Sequence, residues 1–133
     1  MTTNDARKQV IQTESAPQAI GPYSQAVVAN GMVYTAGQIP LDPATGQVAG
    51  DDIVSQTEQV MQNLSALLEA SGSSLAQVVK TTCFLANLDD FPAFNDVYGR
   101  SFTTAAPARS TVQVARLPMG VLVEVECVAV VIA

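Results

Sequence analysis

The sequence predicts an α+β fold: a single mixed sheet of about six strands, with two helices packed on one of its faces. Three patterns predict it. Asn30-Gly31 stands between two apolar runs, the strongest short signal for a β-hairpin, because both turn residues need positive φ. Two later segments repeat apolar residues at helical spacing. Further short apolar runs at residues 78–85, 108–114 and 121–132 read as strands.

Taken in order, residues 10–13 predict a short first strand. Residues 14–24 form a loop of turn formers that carries Gly21-Pro22. The hairpin uses residues 25–29 and 32–36 and ends at Gly37, and Pro40, Asp42-Pro43 and Gly46 mark a loop. Asp51 or Asp52 caps the first helix. Its apolar face is Ile53, Thr57, Val60, Met61, Leu64, Leu67 and Leu68, and Ser71-Gly72 stops it. A strand follows at residues 78–85. Asp89-Asp90 start a second helix, which tolerates Pro92 in its first turn and carries an apolar stripe of Phe91, Phe94, Tyr98 and Phe102. Strands at residues 108–114 and 121–132, joined by a turn at residues 117–120, read as a C-terminal hairpin. The order is β-ββ-α-β-α-ββ.

At 133 residues the chain suits one domain, residues 1–133, with one core. Hydrophobic residues make up 48% and charged residues 14%, which is more apolar surface than a lone small domain needs. With both helices on one sheet face, the other face needs cover, most simply from other copies of the chain. The net charge is −6, and the only cations are Arg7, Lys8, Lys80, Arg100, Arg109 and Arg116. Nucleic acid and anionic membrane surfaces demand clustered Lys and Arg, so both are disfavoured as partners. Residues 1–9 are polar and lack the apolar segment of a signal peptide. The late apolar run is too short for a membrane span and is interrupted by Glu124 and Glu126. Cys83 and Cys127 lie in apolar surroundings at no metal-ligand spacing and read as buried free thiols. These features point to the cytoplasm. The chain has no histidine. Ser–His and Cys–His nucleophilic arrangements are thereby excluded, and zinc chemistry is disfavoured.

The C-terminal strands carry the chemistry. Arg109, Thr111 and Gln113 share one parity of the first, and Glu124 and Glu126 share one parity of the second. Side chains alternate across a strand. If the two strands form a hairpin turning near Pro118, Arg109 and Thr111 lie opposite the glutamates on one face. A solvated charge pair is the simplest reading of that face. Against it, these charges sit in one of the most apolar stretches of a chain poor in charge. A half-buried arginine there needs a carboxylate or phosphate for its fork. Tyr23, after Gly21-Pro22, and Asn95, on the second helix, are further polar candidates; alone, each reads as structural.

Several segments together resemble the Rid family, the reactive intermediate deaminases, also called the YjgF family. They are Ala19-Ile20-Gly21-Pro22-Tyr23, Gly37-Gln38-Ile39-Pro40, Val79-Lys80-Thr81-Thr82 and Pro107-Ala108-Arg109-Ser110, continuing through Val114-Ala115-Arg116-Leu117-Pro118 to Val123-Glu124-Val125-Glu126. The resemblance runs from about residue 12 to residue 131. It implies a chorismate-mutase-like α+β fold and a homotrimer with a site at each subunit interface. It implies hydrolysis of reactive enamines and imines, such as 2-aminoacrylate and 2-aminocrotonate, to 2-keto acids and ammonia. The implied partner is thus a small 2-imino or 2-keto acid, with no cofactor and no metal. By the same resemblance Arg109 holds the substrate carboxylate and Glu124 orients the attacking water or contacts the substrate nitrogen. Tyr23 and Asn95 line the pocket, with backbone groups near Gly37 and Thr111. Two positions depart from the family pattern: Ala36 stands where serine is common, and Thr111 where cysteine is common. The residue inventory suits this chemistry. An arginine fork anchors a carboxylate, a glutamate places water or accepts a proton, and fixing the two components relative to each other supplies much of the acceleration. The main rival reading is a non-catalytic trimer that binds keto or amino acids as a regulator; a second is an RNA-cleaving or chaperone role, and the absence of histidine and of a basic patch counts against RNA cleavage.

Overall fold

The computed structural model describes residues 7–132. Residues 1–6 of the polar N-terminal stretch, and residue 133, lie outside the described residues. Strand β1 (Gln9–Ile11) pairs antiparallel with β2 (Ala26–Ala29), which turns into β3 (Met32–Thr35). The turn is built as expected: Asn30 and Gly31 have φ of 52° and 75°.

Helix α1 (Ile53–Ala70) starts at Asp52, whose carboxylate accepts the Ser55 N–H at 2.8 Å. It ends where the Ser71 hydroxyl donates to the Leu67 carbonyl and Gly72 takes φ of 80°. Strand β4 (Val78–Leu85) follows. Helix α2 (Phe91–Tyr98) is shorter than the sequence predicts. Asp89 and Asp90 lie in a separate 3-10 turn capped by Asn87, and a second 3-10 turn, Gly99–Ser101, separates Phe102 from the helix. Phe102 still stacks on Tyr98, with ring centroids 4.8 Å apart. Strands β5 (Ala108–Gln113) and β6 (Val123–Val130) complete the sheet; residues 118–120 form a 3-10 turn, so β6 begins later than predicted.

The six strands form one mixed sheet in the order β1-β2-β3-β6-β4-β5. This corrects the C-terminal hairpin. β5 and β6 do not pair; β4 lies between them, parallel to β5 and antiparallel to β6. The cause is α2. A helix between two strands is the crossover that lets them run parallel as neighbours, so β5 docks beside β4. The apolar β6, with Val123, Val125, Cys127 and Ala129 all buried, takes the sheet interior.

Both helices cover one face. Leu64, Leu67 and Leu68 of α1 and Phe94 and Tyr98 of α2 share a core with Cys83, Leu85, Val123 and Val125. The opposite face is open. Register places Val10, Tyr34, Val112 and Val130 on it, each more than a third exposed.

Candidate functional site

Register decides where each candidate residue lies. Thr81 is the cross-strand partner of both Arg109 and Cys127, so Arg109 faces the helices. Glu124 and Glu126 pair with Phe84 and Thr82 and face the open side. Arg109 and the glutamates are therefore on opposite faces of the sheet. The expectation that one face carries the guanidinium, the hydroxyl and both carboxylates is wrong for a single chain. It failed because it rested on a β5–β6 hairpin.

The residues gather instead into two groups. In the first, Arg109 extends from the edge strand β5 under α2. Its Nη1 donates to Asn95 Oδ1 at 2.8 Å. Its guanidinium carbon lies 4.8 Å from the Tyr98 ring centroid, 5.3 Å from Phe91 and 5.9 Å from Phe94. Three aromatic faces and one amide oxygen fix a long side chain that is otherwise mobile. Thr111, two residues on and on the same face, has a buried Oγ1 with no partner among the described residues. No described carboxylate pairs with Arg109: the ion pair found among these residues, Arg100 with Glu58, is exposed and does not involve it. Asn95 reads alone as a solvent-edge residue, but here it orients the arginine. The aromatic stripe of α2 reads as core packing, and it also forms the seat of the guanidinium. Gln113 serves the fold, its side-chain oxygen accepting the Leu88 N–H.

The second group lies on the open face. Gln38 bridges Val125 through two backbone hydrogen bonds, which lays Gly37 against Glu124. A Cβ at position 37 would overlap the Glu124 carboxylate, so any larger residue there would have to push that flexible side chain aside. Ile20, Tyr23, Ala36, Gly37, Ile39, Pro118 and Glu124 line a cavity of about 470 Å³. Tyr23 stands half-exposed on its wall, its hydroxyl accepting the Ile20 N–H at 3.3 Å. An adjoining recess of about 60 Å³ is lined in part by Gln38, a buried residue whose Oε1 has no partner among the described residues. The sequence flags Gln38 only as one letter of Gly37-Gln38-Ile39-Pro40.

Burial, and secondarily the neighbouring Glu126, push the Glu124 carboxyl above its ordinary value of 4.5. A raised folded-state pKa means that ionising Glu124 costs the fold stability. Nothing is lost at pH below the ordinary value, where the group is protonated in both states; the loss grows as pH rises through the folded value.

Cys83 and Cys127 are buried free thiols, as predicted. Burial pushes both up to about 11, so they are protonated and unreactive at neutral pH. No group of three or more metal-ligating side chains occurs among the described residues, and none of their helices is long and apolar enough to cross a membrane.

Comparison with known proteins agrees with the fold and the motifs. Residues 13–131 match the model of the family described as Endoribonuclease L-PSP. The chain is 45% identical over 129 residues to the chloroplastic Reactive Intermediate Deaminase A of Arabidopsis thaliana, covering 97% of this chain and 69% of that protein. It is 45% identical over 123 residues to a 2-iminobutanoate/2-iminopropanoate deaminase of Capra hircus, covering 92% and 90%. The crystal structure of E. coli TdcF with bound serine superposes with a TM-score of 0.88 at 42% identity, covering 92% and 98%. The chain belongs to the Endoribonuclease L-PSP family, the Rid (YjgF) family that its motifs resemble.

Proposed function

We propose that the protein hydrolyses reactive enamines and imines of small 2-amino acids to 2-keto acids and ammonia, at sites completed by two copies of the chain. The observation that carries this reading is the separation of two incomplete groups. Arg109, held by Asn95 and three rings, has no carboxylate partner among the described residues. Glu124, half-buried against Gly37, has no described cation beside it. Each lacks what the other supplies, and the sheet keeps them apart. A second copy that sets its β5 edge against the open face of the first joins them. Such a head-to-tail contact uses two different patches and closes into a ring, and it covers Val10, Tyr34, Val112 and Val130.

In the joined site the arginine fork takes the substrate carboxylate. One N–H is spent on Asn95, and the remaining donors are free for a charge-assisted, two-point contact. Thr111 Oγ1 adds a donor beside it. Glu124 holds a water near the imine carbon, takes its proton as the C–O bond forms and passes that proton to the nitrogen; the carbinolamine then collapses, its hydroxyl proton going to the departing nitrogen, and ammonia leaves as the C–N bond breaks. Tyr23 and Ile39 wall the pocket against bulk water. Ala36 brings no hydroxyl, so the water depends on Glu124. Relatives bearing deaminase names, and a relative crystallised with serine, support a small 2-amino-acid-derived ligand. The family description names an endoribonuclease; with no histidine and six cations, this chain lacks the usual base and phosphate contacts for RNA cleavage.

The direct test generates 2-aminoacrylate in situ with a PLP-dependent dehydratase, traps unhydrolysed imine with semicarbazide, and follows pyruvate release. Release at the spontaneous rate defeats the proposal. Light scattering is expected to give about 42 kDa, three times the 13.9 kDa chain. A stable monomer at micromolar concentration removes the joined site.

A further inference from the structure

Among the three rings around Arg109, Tyr98 differs by carrying a hydroxyl, and that hydroxyl is tied down. Its oxygen lies 2.7 Å from Thr81 Oγ1 in a buried hydrogen bond. Tyr98 is 6% exposed and Thr81 1%. Thr81 is itself the cross-strand partner of Arg109 in the parallel β4–β5 ladder. The contacts close a triangle. The backbones of Arg109 and Thr81 are neighbours in register, the Thr81 hydroxyl holds the Tyr98 phenol, and the Tyr98 ring lies under the guanidinium at 4.8 Å, closest of the three rings.

Packing alone does not explain the threonine. The other core-facing residues of β4 are Val78, Cys83 and Leu85. Valine has nearly the same shape as threonine and suits a buried strand position without a hydroxyl to satisfy. The Tyr98 hydroxyl likewise lies in the core, where phenylalanine would fill the same space. Two buried hydroxyls that satisfy each other are a matched pair, and their product is a ring held in one orientation against the arginine. Asn95 fixes one end of the guanidinium, and the Tyr98 face fixes its plane.

We propose that Tyr98 and Thr81 form a strut that sets the plane of the Arg109 guanidinium for ligand binding; they are positioning residues that do not touch the ligand. The ligand role of Arg109 rests on the function proposed above, whereas the strut itself is a property of the folded chain. Loss of the strut leaves Arg109 charged and near its site but free to rotate. It weakens carboxylate binding and spares the water-handling step at Glu124.

The test uses the assembled protein in five forms: wild type, Tyr98→Phe, Thr81→Val, the double variant, and Thr81→Ser, which keeps the hydroxyl. In 15N-labelled protein the Arg109 Nε–H resonance is assigned by its disappearance in Arg109→Lys. Tyr98→Phe and Thr81→Val are expected to broaden it or shift it toward the free-arginine position, while Thr81→Ser retains it. Pyruvate affinity by calorimetry and the KM for the enamine are expected to worsen about three- to tenfold in each broken variant, with kcat within about twofold. The double variant is expected to be no worse than the poorer single one, because both changes cut the same bond. An unchanged Arg109 resonance in Tyr98→Phe and Thr81→Val, or losses that add in the double variant, overturn the strut. If wild type neither binds pyruvate nor accelerates hydrolysis, the proposed function fails, and the Arg109 resonance alone decides the strut.

Discussion

Arg109→Lys is expected to lower kcat/KM for the enamine by roughly tenfold to 150-fold. That corresponds to the loss of one charge-assisted hydrogen bond, about 1.5–3 kcal/mol. Lysine keeps the charge and much of the aliphatic stem. It loses the planar fork, which here must satisfy Asn95 on one side and a carboxylate on the other. An ammonium also cannot lie flat on the Tyr98 ring as a guanidinium can. Stability is expected to change much less, because no carboxylate of the described chain pairs with Arg109 and none is orphaned by the change. The measurement is steady-state kinetics beside thermal melting. Wild-type kcat/KM in the lysine variant removes Arg109 as anchor. A large drop in melting temperature with proportionate loss of activity makes it a structural residue.

Local elements were legible because their signals are local. Asn30-Gly31 demands its turn, the Asp51-Asp52 pair a cap, which the structure places at Asp52, and the spacing from Ile53 to Leu68 its helix. Strand β4 matches its predicted span of residues 78–85. The neighbours of β5 and β6 were misread because proximity in sequence was taken for pairing. A contrary signal was present: β4, α2 and β5 in succession are a strand–helix–strand unit, which favours a parallel neighbour, and residues 114–122 are long for a tight hairpin. Parity along each strand was right, but parity between strands depends on register, and register was inherited from the wrong partner. The consequence is functional. Arg109 and Glu124, expected side by side, lie across the sheet, so the proposed site needs residues from two copies of the chain. The glycine at position 37 and the tyrosine at position 98 were legible as residues but not in their roles. One depends on a close approach to Glu124, the other on a hydrogen bond to a strand distant in sequence.

Glu124→Gln separates the three readings of that residue, and it is expected to slow enamine hydrolysis by about a hundredfold or more, the usual scale for a lost general base. The amide keeps the shape against Gly37 and one acceptor oxygen, but it loses the negative charge and the ability to take a proton from water. Pyruvate binding is expected to persist, since the carboxylate anchor, Arg109, comes from the other group of residues. Were Glu124 the structural partner of Arg109, the same change would release the guanidinium, and affinity and melting temperature would fall together; their placement on opposite faces of the sheet argues against that within one chain. In a pure binder, wild type and variant both leave the spontaneous hydrolysis rate untouched. Glu126 supplies the control. It shares the open face with Glu124 and contributes, after burial, to raising the Glu124 carboxyl. With Glu124 as the proposed base, hydrolysis requires its ionised form, so activity is expected to fall as pH drops through the Glu124 pKa. Glu126→Gln removes a like charge, lowers the value, and is expected to move the acid limb of kcat/KM to lower pH while preserving the plateau rate. Should Glu126→Gln instead cost as much rate as Glu124→Gln, with no shift of the limb, the water would be held by both carboxylates, and the assignment of its proton to Glu124 alone would fail.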